Sequence, residues 1–260
     1  MLSKGYFTLE LLAKRDRSPF RRTKCGTEDF ILLFVPPLCG EMEITMNAVK
    51  PKRSYTLGEE IFSAVTHGIG AALSIAALVT MVVRAAGHGD AYAVVSAAIF
   101  GASLVILYTM STLYHALANK TAKKVFRIFD HATIFLLIAG TYTPYVLVTM
   151  RGATGWVLFG ILWGLAALGI VLDSVMLDKF RKLEMLLYVG MGWCILFASG
   201  SLIASLARDG LILLLVGGIC YTVGIVFYAM KKVKYMHSIW HLFVLAGSIF
   251  HYFSVLLYVL

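Results

Sequence analysis

Apolar residues fall along the chain in runs of about 20, each long enough as a helix to cross ~30 Å of hydrocarbon, with short polar breaks between them. Seven runs are legible: Ile61 to Arg84, Ala91 to His115, Phe126 to Met150, Gly155 to Asp173, Leu183 to Ala207, Leu211 to Met230, and Met236 to Leu260. The bilayer interior offers the backbone no water, so a spanning segment must satisfy its own N–H and C=O groups, and the runs lack the two-residue alternation of membrane β-strands. The pattern predicts an all-α, polytopic membrane protein: a bundle of seven transmembrane helices forming one domain over residues 55–260.

Residues 1–54 are of a different kind. They carry mixed charges, Pro36-Pro37, and a short apolar piece from Phe30 to Val35 that is too brief to span and poorly suited to a signal peptide. This segment is expected on the cytoplasmic side, partly disordered. Met46 opens a basic lead-in, Met46-Asn47-Ala48-Val49-Lys50, that would serve as a natural start, so residues 1–45 are expected to be a dispensable tail or the product of an upstream start codon.

Composition agrees with the pattern: 60% of the 260 residues are hydrophobic and 14% charged, against roughly half and a quarter in soluble domains. The net charge of +9 raises the question of nucleic acid, and the placement of the cations answers it. Lys120, Lys123, Lys124, Arg127, Lys179, Arg181, Lys182, Lys231, Lys232 and Lys234 lie in the second, fourth and sixth breaks, whereas the other three breaks hold only Arg84, Arg151 and Arg208. That asymmetry is a positive-inside signal, which predicts a cytoplasmic N-terminus and an outer C-terminus for a multi-pass membrane protein. Once it is removed no basic stripe remains, and no nucleic-acid partner is expected. Membrane lipids are the expected partners; oligomeric state is not legible. Cys25, Cys39, Cys194 and Cys220 form no C-x-x-C pair, and the last two are expected to be buried small apolar residues.

Candidate chemistry concentrates in histidines at the ends of the runs. His115 closes the second and His237 opens the seventh; four crossings lie between them, and an even number returns the chain to the same side. His115, His237 and His241 therefore share a depth, with Asp130 at the start of the third run beside them. Residues four apart stand on one face of a helix, so His237 and His241 can grip one ion, and Ser111 and His115 have the same spacing. Three imidazoles with an exchangeable position suit zinc, whereas Mg²⁺ or Ca²⁺ favours oxygen. The competing reading is that the rings lie in the headgroup layer, capping helix ends and binding nothing.

Three blocks carry a family likeness: Glu60 with Thr66-His67-Gly68, Ser111-Thr112-Leu113-Tyr114-His115 followed by Phe129-Asp130-His131, and His237-Ser238-Ile239-Trp240-His241. Over Tyr55 to Leu260 the chain resembles the hemolysin III family, the bacterial branch of the progestin and adipoQ receptor (PAQR) family, related to alkaline ceramidases. The resemblance implies a seven-helix bundle with zinc on His115, His237 and His241, and with Ser111 and Asp130 acting on the metal-bound water. Ser63 departs from the pattern, since receptor relatives often carry Asn there.

The remaining polar residues read as structural. Glu60 and His67, seven apart, suit pairing with a neighbouring helix; His131 points about 100° away from Asp130. His251 stands about 21 Å along the helix from His237 and cannot share its ion. Asp173 is expected at the interface, and Pro144 in Gly140-Thr141-Tyr142-Thr143-Pro144 is expected to kink the third helix and open a lateral cleft. The leading functional expectation is a zinc-dependent lipid amide or ester hydrolase. The alternatives are a non-enzymatic sensor or regulator of membrane state with structural zinc, and a cytolysin, the last poorly matched to seven integral spans.

Overall fold

The computed structural model describes residues 55–176 and 181–260; the expectations for residues 1–54 lie outside them. The described chain is helical, without strands, and seven helical segments are long and apolar enough to cross a membrane. The helices are α1 (Leu57–His88), α2 (Ala91–Ala116), α3 (Lys120–Pro144), α4 (Ala153–Met176), α5 (Arg181–Gly192), α6 (Ser199–Ser205), α7 (Arg208–Ala229) and α8 (Met236–Tyr258). Helix α1 packs on α2 and α8, α2 on α3, α3 on α4, and α7 on α8. The third span is the most enclosed.

The bundle is apolar outside and polar inside, as lipid solvent requires. Helix α1 exposes Ile61, Val65, Ile69 and Val83 while burying Ser63, His67, Ser74 and Met81. Small residues bring backbones close: a Cβ on Gly70 would sit 2.6 Å from the Tyr108 ring, so α1 and α2 could not pack as they do with alanine there. Side-chain hydrogen bonds then join the helices. Ser63 Oγ lies 3.0 Å from Ser238 Oγ, and the Tyr108 hydroxyl donates to Ser248 Oγ at 2.7 Å. Ser63 thus has a structural task, tying α1 to α8.

The start of α1 is closed by a capping box between Thr56 and Glu59. The same Glu59 accepts from the Tyr235 N–H at 2.7 Å. Tyr235 precedes α8 with φ of 63°, the one left-handed non-glycine among the described residues. An L-residue pays about 1–2 kcal/mol for that conformation, and the Glu59 contact helps to hold it, so that α8 begins beside α1.

Two spans depart from regular α-helix. At Pro144, where the sequence predicts a kink, the winding changes from α to a π-helical turn over Tyr145–Thr149; proline lacks an N–H, and a wider turn accommodates the loss. The fifth span, predicted as one helix, is broken: α5 gives way to a 3₁₀ segment, Cys194–Ala198, before α6. The Tyr142 hydroxyl donates to the Gly192 carbonyl at 2.7 Å and accepts from the Ile195 N–H at 3.1 Å, satisfying backbone groups freed by the break. Two further expectations are corrected. Asp173 is buried, near Glu184 and His131, rather than interfacial; and Cys194 and Cys220 are free and only half-buried.

At the opposite end from His115, Asp90 caps α2 and pairs with Arg151, whose guanidinium also lies 4.3 Å from the centre of the Tyr92 ring. The hydrogen bond from Arg151 holds the Asp90 carboxyl below its ordinary value. A lowered pKa contributes stability above the unfolded value, near 3.9, that is lost as pH falls through the folded value. The wild type is therefore expected to melt above Asp90→Asn at neutral pH, with the difference closing below about pH 4; a pH series of thermal melts in detergent reads it.

Candidate metal centre

The three histidines expected to share a depth are in contact. Nε2 of His237 lies 3.3 Å from Nε2 of His115 and 3.1 Å from Nε2 of His241. They are the group among the described residues whose donor atoms converge closely enough to hold a metal ion. Helix α2 supplies His115 from its last turn, and α8 supplies His237 and His241 from its first two turns. His115 and His241 are buried and His237 half-buried.

The rings are held from several sides. Tyr55 stacks on His237 at 4.7 Å between centroids, and Trp240 lies 5.0 Å from the same ring. His67 stacks on His241 at 3.6 Å, and Tyr108 meets His67 edge-on at 5.0 Å. Glu60 places Oε2 2.7 Å from Nδ1 of His115, while its other oxygen is 2.7 Å from Lys123 Nζ. Nδ1–H of His115 donates to this carboxylate, which keeps the proton on Nδ1, so Nε2 presents a lone pair to the cluster and the ring is oriented as a ligand. The sequence reading paired Glu60 with a neighbouring helix without tying it to His115. The signal was depth: Glu60 near the start of α1 and His115 at the close of α2 lie two crossings apart, and so on the same side of the bundle.

The donor set fits a metal. A ring nitrogen carries either one proton or one in-plane lone pair, so Nε2 of His237 cannot satisfy two neighbouring nitrogens at once, and the triangle leaves a lone pair facing a lone pair. A cation resolves that conflict. Tetrahedral coordination at 2.0–2.1 Å from each nitrogen separates the nitrogens by about 3.3 Å, close to the observed spacings.

Asp130 and Ser111 are both buried, but no hydrogen bond joins either to the three rings. Ser111 lies one turn before His115 on α2, and its Oγ has no partner. Asp130 lines a cavity of about 420 Å³ enclosed by apolar and aromatic side chains, with His67 and Trp240 also on its wall. Broken segments border the same cavity, through Tyr145 and Trp193. A second cavity of about 290 Å³ reaches the centre itself, lined by His237, Glu60, Lys123 and Arg127. His131 Nδ1 donates to Glu184 Oε1 at 2.6 Å, apart from the three rings.

These features define a polytopic helical membrane protein with an interhelical histidine centre bordered by a polar vestibule at His237 and, behind His67 and Trp240, by an apolar chamber. A family model described as haemolysin-III related matches residues 55–252, and the chain belongs to that family. It is 48% identical over 202 residues to Hemolysin-3 of Bacillus cereus, covering 78% of this chain and 92% of the relative. Against the Hemolysin-3 homolog of Bacillus subtilis (strain 168) it is 46% identical over 204 residues, with coverages of 78% and 96%. A more distant relative, the human monocyte to macrophage differentiation factor, is 28% identical over 173 residues, 64% of this chain and 71% of the relative.

If Glu60 orients His115, Glu60→Gln is expected to weaken metal affinity about 10–100-fold while leaving the helical content and melting behaviour of metal-free protein near wild type. Competition against a metal chelator, with circular dichroism as the control, reads both. An unchanged affinity would assign Glu60 to the Lys123 pair alone.

Proposed function

We propose that the protein is a zinc-dependent hydrolase of lipid amide or ester bonds in a bacterial plasma membrane, with zinc held by His115, His237 and His241. The observation that supports this most is the two-sided setting of the centre. A polar, cation-bearing vestibule suits a lipid headgroup, and the apolar chamber, within the range of small-molecule sites, suits an acyl chain. The labile bond of such a lipid lies between its polar and apolar parts, which is where the histidines stand.

Zinc bound there would supply Lewis acidity and make hydroxide available near neutral pH. The protein's own part is division of labour. Tyr55, Trp240 and His67 hold the rings and exclude water. The Asp130 carboxylate is the group assigned to accept a proton from the attacking water, and the unpartnered Ser111 hydroxyl the one to orient that water or donate to a developing oxyanion. The charge asymmetry of the breaks supports an arrangement with this end of the bundle facing the cytoplasm.

A second reading is favoured by the cover over His241, which is fully buried beneath His67 and Trp240. Structural zinc sites are closed, and a closed centre would tie α2 to α8 as a sensor or regulator of membrane state. Direct cytolysis, the activity carried in the relatives' names, draws no separate support from the geometry.

Purified protein would be assayed for zinc content and for fatty-acid release from ceramide-like and phospholipid substrates. The hydrolase reading expects His237→Ala and His241→Ala to lose zinc, and Asp130→Ala to keep zinc while hydrolysis falls about 10²–10⁴-fold. Zinc without turnover across the lipid panel would leave the structural reading standing. Protein that never retains zinc would end both.

A further inference from the structure

The apolar chamber is not uniformly apolar. Its wall away from the histidine centre carries His251, fourteen residues beyond His237 on α8 and hence about 21 Å along the helix axis. His251 is 4% exposed, and its Nδ1 is buried without a hydrogen-bond partner. Burying a polar group without a partner costs several kcal/mol on the harshest scales, and a ring nitrogen in hydrocarbon has no water to fall back on. The ring is also specifically accommodated. Gly217 on α7 leaves room for it, since a Cβ there would lie 2.8 Å from its Nε2, and Tyr221 sits beside it at 5.1 Å between centroids.

A second orphan borders the same chamber. The Tyr145 hydroxyl is buried against Ser254 but makes no hydrogen bond of normal geometry, and Tyr145 is the residue with which the π-helical turn begins. Tyr221, beside both His251 and Tyr145, pairs with Ser248 at 2.9 Å, and Ser254 donates to the Gly210 carbonyl at 2.8 Å. His251 Nδ1 and the Tyr145 hydroxyl thus mark a place for a ligand atom on this part of the chamber wall. A neutral imidazole both donates and accepts, as does a phenol, so the matching group is uncharged and both donates and accepts.

We infer that the chamber selects acyl chains bearing a hydroxyl far from the carboxyl end, with His251 and Tyr145 as the specificity-determining residues that receive it. A carboxylate in that position would remain a buried charge without a cation, and a plain methyl end would leave both groups unsatisfied. The inference rests on the chamber being an acyl site, and it requires neither metal nor turnover.

Direct binding of ω-hydroxypalmitate, α-hydroxypalmitate and palmitate to the full-length protein in nanodiscs tests it. The ω-hydroxy chain is expected to bind about threefold to tenfold more tightly than palmitate, from the net worth of one or two hydrogen bonds; the α-hydroxy chain should show no such gain. His251→Phe and Tyr145→Phe are each expected to reduce the preference while palmitate affinity holds, which also shows that the variants fold. Tyr145→Phe removes a single oxygen and guards against loss of fold in the histidine variant. Equal binding of all three chains to wild type would overturn the inference and leave the acyl chamber intact. Failure of every chain to bind would overturn the acyl reading and the inference with it.

Discussion

Imidazole nitrogens beyond the reach of bulk water must find a partner in the protein or in an ion, and the association of α1, α2 and α8 is organised around that requirement. His115 is satisfied on one side by Glu60 and turns its other nitrogen to His237. His237 and His241 turn theirs to the same point. Lys123 balances the Glu60 carboxylate, and Tyr55, Trp240 and His67 hold the ring planes. Lipid gives helices little hydrophobic reason to associate, so these polar contacts, with the Ser63–Ser238 pair and the Glu59–Tyr235 bond, do much to specify which helices meet.

Much of the bundle was legible in the chain because hydrocarbon thickness dictates the length of a spanning helix, and crossing parity did the rest. His115 and His237 are 122 positions apart, yet counting crossings sufficed to put them at one end. What the pattern concealed has a common cause. The break in the fifth span, the link from Glu60 to His115 and the burial of Asp173 each depend on a partner on another helix: Tyr142 for the break, α2 for Glu60, and the neighbourhood of Glu184 and His131 for Asp173. Hydropathy records the solvent of a segment, not the side chain opposite it. Pro144 is intermediate: the disturbance was readable, but its form, a π-helical turn beside the chamber, was not.

The two irregular segments face each other's chemistry. Tyr142 closes the break in the fifth span, and three residues later Tyr145 opens the widened turn of the third. Both border the chamber, in keeping with the rule that non-helical backbone at membrane depth is tolerated where it lies against protein or lines a cavity. The irregular backbone beside the chamber is thus stabilised by a tyrosine belonging to the same wall.

The division of the histidines between α2 and α8 also bears on how the molecule is made. Ribosomes deliver helices in order, so His115 enters the membrane with Glu60 already upstream of it, and then waits while five more spans are synthesised. His237 and His241 arrive with the last of them. No shortened chain lacking the final helix can complete the triad, whatever its earlier helices have achieved. Closure of the triad therefore waits on the synthesis of α8, a dependence written into the order of the spans.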